Sequence, residues 1–417
     1  MPKRVPKIRF KKYTDEWKED ILSEFLEVSK EKNFLEEYYK TDVLSVSGEC
    51  GIVNQIEHKG RSFAGASVAN YGVVDTGDVV YTKSPLLNTP YGIIKTNKSK
   101  PGIVSTLYAV YKPKESIDPN FIECYFEQNA RINNYLKPLV NKGAKNDMKV
   151  TDENALNGLV IFPNKDEQKE ISKFLVNYEK NIQIMQKKID KITSVKNILL
   201  SKVFGQCEKI GFKIKFKLFN DIWNYKTIDS LTNEIKAGGT PSTANPLYWY
   251  PKEIPWISSG EIHKKFISKT NTKISKLGLQ NSSARWVDQN SILIALAGQG
   301  KTRGTVAINK IPLTTNQSIA AITFDDNIIP EFILYNLESR YNELRMMSSG
   351  NSSRGGLNKK LISEISIPYI SKKEQEKIGL LFMQLDKLII LYQSKLDKLK
   401  EIKQAFINHM FVNKREI

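Results

Sequence analysis

The chain is written twice, and this constrains its fold more than any single motif. Ile8-Arg9-Phe10-Lys11-Lys12-Tyr13-Thr14-Asp15-Glu16-Trp17 recurs as Ile214-Lys215-Phe216-Lys217-Leu218-Phe219-Asn220-Asp221-Ile222-Trp223, an offset of 206 positions. Far downstream, Glu167-Gln168-Lys169-Glu170-Ile171 returns as Glu374-Gln375-Glu376-Lys377-Ile378 at an offset of 207. Near-equal offsets at opposite ends of a unit imply one duplicated architecture. At 417 residues the chain is also too long for one ordinary core.

Each copy ends in a pattern that predicts a long helix. Pro163 precedes Asn164-x-x-Glu167 and Pro368 precedes Ser371-x-x-Glu374, each a capping side chain with a carboxylate three residues on to return the hydrogen bond. Apolar positions then alternate by four and three: Ile171, Leu175, Tyr178, Ile182, Met185, Ile189, Ile192, Lys196, Leu199, Val203. The second series is Ile378, Phe382, Leu385, Ile389, Tyr392, Leu396, Leu399, Lys403, Phe406, Met410, every member shifted by 207, the single lysine included. A seven-residue repeat of this kind is a coiled-coil seam, and a polar residue within it fixes register, so the two helices are expected to pair with each other. Roughly forty residues of helix span about 60 Å at 1.5 Å per residue, the length of a spacer.

The two segments of roughly 160 residues between the helices read as mixed α/β. Strand-like runs at Asp78-Val79-Val80-Tyr81, Ser105–Val110, Ser291-Ile292-Leu293-Ile294 and Ser318–Ile322 alternate with loops of Gly, Asn and Ser, and short helices are signalled at Pro119–Ile122 and Pro330–Ile333. The scaffold repeats while the loops differ, which suits two related modules that recognise different things.

Charge gives the partner class. Sixty-three Lys plus Arg against 45 Asp plus Glu leave a net charge of +18, a field that favours a polyanion, although an AT-rich coding sequence also raises lysine and charge alone does not separate DNA from RNA. Cys50, Cys124 and Cys207 lie far apart, as do His58, His263 and His409, so neither a disulfide framework, a zinc cluster nor a His-centred catalytic pair is indicated. No run approaches a membrane span, and Met1-Pro2-Lys3-Arg4 lacks a signal peptide's apolar core; a cytoplasmic protein is expected. One stretch argues for nucleotide chemistry: Ala295-Leu296-Ala297-Gly298-Gln299-Gly300-Lys301-Thr302 has the spacing of a phosphate-binding loop if alanine replaces its first glycine. That mechanism needs a helix next, whereas Arg303–Ile308 predicts a second strand, and residues 83–92 in the other copy hold no Gly-Lys-Thr. A basic loop between strands, offering Gln299, Lys301 and Arg303 to DNA, fits better than a P-loop NTPase or nuclease; a coiled-coil adaptor without DNA specificity is the other alternative.

Ala237-Gly238-Gly239-Thr240-Pro241-Ser242, then Tyr248-Trp249 and Ile254-Pro255-Trp256-Ile257-Ser258-Ser259-Gly260, resembles the opening of a target-recognition domain from specificity subunits of type I restriction-modification systems. The first half, with Val43–Ser47, Gly51-Ile52-Val53, Asn70-Tyr71 and Gly77-Asp78, resembles another variant of that domain without the Gly-Gly-Thr-Pro stretch. With the two helices, the resemblance covers essentially the whole chain. It implies an α+β protein in which two mixed α/β target-recognition domains, 1–163 and 206–370, are separated by two long helices, 164–205 and 371–413, that form an antiparallel coiled coil with a pseudo-twofold internal repeat. It implies as partners double-stranded DNA, two adenine methyltransferase subunits docked along that framework and two restriction-translocase subunits. S-adenosylmethionine, ATP and magnesium would belong to those partners and no cofactor to this chain, in which no Asn-Pro-Pro-Tyr or Asp-Pro-Pro-Tyr stretch occurs.

Base discrimination in the major groove needs paired donors and acceptors, Arg or Lys for guanine and Asn or Gln for adenine. Two readers on a stiff spacer then predict a target of two unlike half-sites with an unread gap, their centres about 34 to 36 Å apart. Polar, Gly-flanked loops supply the candidates: Lys83, Ser84, Asn88, Ser105, Lys142, Lys145 and Asn146 in the first domain, and Gln299, Lys301, Arg303, Asn316, Gln317, Ser352, Ser353 and Arg354 in the second. Trp17, Trp223, Trp249 and Trp256 are expected to be core or interface aromatics rather than base-stacking platforms.

Overall fold

The computed structural model describes residues 4–142, 148–205, 223–298, 300–347 and 357–412. The chain divides into two compact units, Met1–Gln186 with Ser394–Ile417 and Lys187–Gln393. Both mix helices and strands. The two long helices are continuous, Lys165–Phe204 and Lys372–His409, and each unit takes half of each.

In the first unit an antiparallel sheet orders its strands Leu26–Val28, Tyr108–Pro113, Val79–Thr82 and Ile93–Thr96, with Tyr81 facing Ala109 on one side and Ile94 on the other. Val79 to Thr82 are all buried, as their unbroken β-prone run suggests for a strand covered on both faces. Helix Pro119–Phe126 starts where Asp118 accepts the Phe121 N–H at 3.0 Å and Pro119 presets the first turn. Its Phe121 and Tyr125 join Trp17, Phe162 and Phe411 in an aromatic core, with Tyr125 meeting Phe162 edge-on at 4.9 Å. The strand predicted from Ser105 begins only at Tyr108, because the Ser105 carbonyl accepts the Tyr108 N–H at 3.1 Å and closes a turn.

In the second unit a five-stranded sheet runs Thr232–Ala237, Ile319–Phe324, Ile292–Ala295, Val306–Asn309, Phe266–Ile267, and a four-stranded sheet runs Thr272–Ile274, Ile254–Ile257, Leu313–Thr315, Trp286–Val287. Helix Pro330–Ser339 packs Phe332 and Tyr335 against Ile292, Ile294 and Ile322 and against Phe204 and Phe382 of the long helices. Among the described residues no helix is long and apolar enough to cross a membrane.

The first long helix starts with its predicted side-chain cap, whereas in the second the Glu374 N–H donates to the Ser371 backbone carbonyl at 3.0 Å. Asn164 accepts the Glu167 N–H at 3.0 Å, but the Glu167 carboxylate does not return the bond: fully buried, it takes Arg9 Nε and Nη2 at 2.7 and 2.8 Å. A charge that far from water requires a bidentate cation, and the guanidinium is held above its ordinary pKa by its hydrogen bond to Glu167. In the second copy Glu374 accepts instead from Trp223 Nε1 at 3.3 Å. The next residue has the same task twice: Gln168 accepts the Asp118 N–H and donates to the Pro163 carbonyl, both at 2.9 Å, and Gln375 does so with Ile329 and Ile370 at the same distances. Each glutamine fastens a long helix to the start of its unit's short helix.

Every position of the two seven-residue series is buried or half-buried. Within the first unit Phe406 meets Phe174 at 4.8 Å and Tyr178 at 5.5 Å; within the second, Phe204 lies 6.0 Å from Phe382. The half-helices of each unit therefore run side by side in opposite senses. The lysines of the seams are each held by two carboxylates. Lys403 Nζ lies 2.8 Å from Glu179 on the other long helix and 2.5 Å from Glu127, just after the short helix; Lys196 Nζ lies 2.6 Å from Asp386 on the other long helix and 2.9 Å from Glu338 in the last turn of the short helix.

Candidate nucleic-acid interface

In each unit, a hairpin of the main sheet sends its connecting loop to one edge, where two further segments meet it. In the first unit the loop spans residues 83–92 between Val79–Thr82 and Ile93–Thr96. It closes on Gly92, whose φ of +95° places any Cβ 1.9 Å from the Thr82 carbonyl oxygen, so only glycine fits. The Lys83 N–H donates to the Leu107 carbonyl at 3.2 Å and Asn133 Nδ2 donates to the Asn88 carbonyl at 3.0 Å. The loop is thus tied to the turn before strand Tyr108–Pro113 and to helix Asn129–Leu136.

The second unit repeats this arrangement with other residues. Its loop, 296–305, joins Ile292–Ala295 to Val306–Asn309. The Leu296 N–H donates to the Ser318 carbonyl at 2.8 Å, the counterpart of Lys83 and Leu107. Tyr341, opening helix Tyr341–Met346, donates to the Lys301 carbonyl at 2.9 Å, and the Arg303 guanidinium donates to the Met347 carbonyl. An antiparallel strand follows the loop where a phosphate-binding loop requires a helix, so nucleotide chemistry has no scaffold here.

The Gly-Gly-Thr-Pro stretch adds a layer to this edge. A Cβ on Gly238 would sit 1.9 Å from the Thr315 carbonyl oxygen, and the Gly239 N–H donates to that same oxygen at 2.9 Å. Trp256 Nε1 donates to the Gly239 carbonyl at 3.0 Å and Trp249 Nε1 to the Ser242 carbonyl at 3.1 Å. The two indoles meet edge-on at 5.3 Å, and both act as struts rather than base platforms. Thr240 is delivered to Gln317, donating to its Oε1 at 2.7 Å, while Asn316 Oδ1 accepts the Ser318 N–H at 3.2 Å.

The structure places the sequence candidates unevenly. Lys301, Gln317 and Asn88 are exposed; Ser84, Ser105 and Asn316 are half-buried, Ser84 donating its N–H to Thr82 Oγ1 at 3.3 Å. Lys83 is ion-paired to Asp152 at 2.5 Å, and the Arg303 guanidinium is turned inward with its Nε buried. Lys142 belongs to strand Asn141–Lys142, but its side chain lies outside the described residues, as do Lys145, Asn146, Gln299, Ser352, Ser353 and Arg354. Sequence reading missed Leu86, Leu87 and Leu107, exposed by 42%, 99% and 62% on the first unit's edge. The signal was there, two adjacent leucines inside a Pro- and Asn-bounded loop. Among the described residues no group of His, Cys, Asp and Glu could hold a metal ion.

Residues 220–401 match the type I restriction modification DNA specificity domain. The MjaIX type I restriction enzyme specificity subunit of Methanocaldococcus jannaschii is 29% identical over 195 residues, 46% of this chain and 44% of that protein. The EcoR124I/EcoR124II specificity subunit of Escherichia coli is 27% identical over 144 residues, 34% of this chain and 36% of that protein. The matches thus span less than half the length of these two relatives. In fold, the chain resembles the S subunit of a type I restriction-modification system from M. genitalium with a TM-score of 0.63 at 15% identity, over 98% of this chain and 99% of that one. Residues 220–401 are accordingly similar to the type I restriction modification DNA specificity domain, and the chain as a whole shares the fold of that S subunit.

Proposed function

We propose that this chain is the sequence-specific DNA-binding subunit of a type I restriction-modification complex, reading a bipartite target through 1–163 and 206–370, which the helices at 164–205 and 371–413 separate along the chain. One observation carries this reading: both units bring a hairpin loop and its neighbours to one edge with the same main-chain ties, Lys83 to Leu107 and Leu296 to Ser318, yet arm that edge with different side chains. Equal scaffolds with unlike tips are what two unlike half-sites require. Lys301, Gln317 and Asn316 are the foremost contacts in the second reader and Asn88, Ser84 and Ser105 in the first. Lys83 is available only by leaving Asp152, and Arg303 supports its loop. Lys142, Lys145, Asn146, Gln299, Ser352, Ser353 and Arg354 complete the proposed set.

The chain performs no chemistry in this reading. Two methyltransferase subunits bring S-adenosylmethionine, and two restriction-translocase subunits bring ATP and magnesium, all in the cytoplasm. The outer face of the second long helix suits such docking: Leu380, Ile390 and Leu391 are 50 to 64% exposed and line a groove with Phe266, Met383 and Lys310. Methylation-site sequencing of cells carrying this subunit and its methyltransferase tests the whole reading. A two-part motif is expected, and replacing residues 18–160 by another member's domain should change one half of it alone. Change or loss of both halves defeats the proposal.

A further inference from the structure

The apolar tip of the first unit's hairpin loop has no task in the reading above. Leu86 and Thr89 exchange both backbone hydrogen bonds, at 3.2 Å each way, and pinch Leu87 and Asn88 into a two-residue tip. The tip is anchored through Asn133 and through the Lys83–Leu107 bond, so it projects from a fixed base. A leucine 99% exposed on such a projection contributes nothing to the fold. Polar Ser84 and Asn88 flank it, and Leu86 and Leu107 are the other exposed leucines of this edge, so its apolar surface is narrow, unlike the broad contiguous patch of a protein-docking face. The edge also belongs to a chain of net charge +18, which draws it to a polyanion. The equivalent loop of the second unit carries Gly298, Gly300 and Lys301 and has no such point.

We propose that Leu87, backed by Leu86, is a wedge that presses between adjacent base pairs of the duplex held by the first unit. This rests on the DNA-binding reading and adds to it a second mode of recognition. Inserted apolar side chains partly unstack a base step and bend the duplex, and pyrimidine–purine steps yield most easily. The first half-site would therefore contain such a step, selected by its deformability with no hydrogen bond to a base edge, whereas the second unit's loop, with Gly298, Gly300 and Lys301, carries no such leucine tip.

The test uses the assembled methyltransferase complex on a duplex carrying the motif that methylation sequencing returns. 2-Aminopurine, which brightens on unstacking, is placed in turn at each position except the methylated adenine, because methyltransferases extrude that base. The wild-type complex should brighten one step in the first half-site and none in the second. Leu87→Ala should abolish the signal and weaken binding roughly tenfold to a hundredfold, as for a leucine returned to water, and Leu87→Phe should restore it. A wild-type complex that binds its motif with no brightened step, or an L87A complex that stays bright, overturns the wedge while leaving the DNA-binding reading intact. Failure of the wild-type complex to bind any motif specifically would remove both.

Discussion

Replacing Lys196 should destabilise the second unit selectively, by an amount that follows from its surroundings. Four charges close a ring there. Lys196 Nζ lies 2.9 Å from Glu338 and 2.6 Å from Asp386, Lys265 Nζ lies 2.6 and 2.8 Å from the same two carboxylates, and Tyr335 donates to Asp386 at 2.8 Å. The Lys196 side chain is 6% exposed and that of Asp386 12%. Lys196→Met keeps a long unbranched side chain but removes the ammonium, which lies 5.3 Å from the centre of the Tyr335 ring, and leaves two carboxylates to share one ammonium. Breaking a buried pair costs about 3–5 kcal/mol; Lys265 remains and Glu338 is 31% exposed, so the lower end, about 3 kcal/mol, is expected. Four of the five tryptophans, Trp223, Trp249, Trp256 and Trp286, lie in this unit, so tryptophan emission during urea unfolding reports mainly on it. With a slope of about 3 kcal/mol per M, the midpoint should fall by about 1 M. The double variant Lys196→Met with Asp386→Leu leaves one balanced pair and should cost less than the summed single variants by at least about 1 kcal/mol. A shift below about 0.2 M for K196M, or strict additivity in the double variant, refutes this account of the ring.

Three further outcomes are expected. Gly238→Ala forces a Cβ into the Thr315 carbonyl; overpacking of about 1–3 kcal/mol should lower the same midpoint and abolish recognition of one half of the motif while the other survives in methylation maps. Lys301→Ala should leave the midpoint unchanged and reduce the salt slope of DNA binding by about 1 if Lys301 meets a phosphate, whereas Arg303→Ala should lower the midpoint, because its guanidinium holds the Met347 carbonyl. Acid should loosen both units. Burial alone would raise the Asp386 and Glu179 carboxyls, but Lys265 and Lys196 in one case and Lys403 in the other outweigh it and hold them below the ordinary range. Depressed folded pKa values give stability that is present above about pH 4 and lost as pH falls through the folded values, so urea midpoints should hold between pH 6 and about pH 4 and drop below it, less in the Asp386→Asn variant.

What was legible in the sequence was whatever many residues encode together. The two helices and their buried series could be read because ten positions repeat at one offset, and the central strands because runs such as Ser291–Ile294 are β-prone throughout. What escaped depends on single long-range partners. Glu167 looked like the return arm of a capping box, but Arg9, 158 positions away, claims it. Lys83 and Arg303 looked like free cations, yet Asp152 and the Met347 carbonyl, distant in sequence, engage them. Polar loops were the stated criterion for contacts, and that criterion excluded Leu87, the most exposed leucine of the first unit's edge.

On the proposed DNA-binding reading, the same division would let the duplicated chain change its target without losing its architecture. The residues that recur at the offset of 207, Gln168 and Gln375 or Lys196 and Lys403, all bind a long helix to its own unit, and their partners are main-chain groups or carboxylates of that unit. The residues that differ, Leu87 against Lys301 or the Gly238-Gly239-Thr240 layer present in one copy, sit on loops whose positions are fixed by backbone hydrogen bonds. Backbone bonds do not depend on which side chain the loop carries. A loop tip can therefore exchange leucine for lysine at little cost to the scaffold, whereas a change at Gln168 or Lys196 is paid in stability by a whole unit. Selection for new target sequences would act on the first set and be barred from the second.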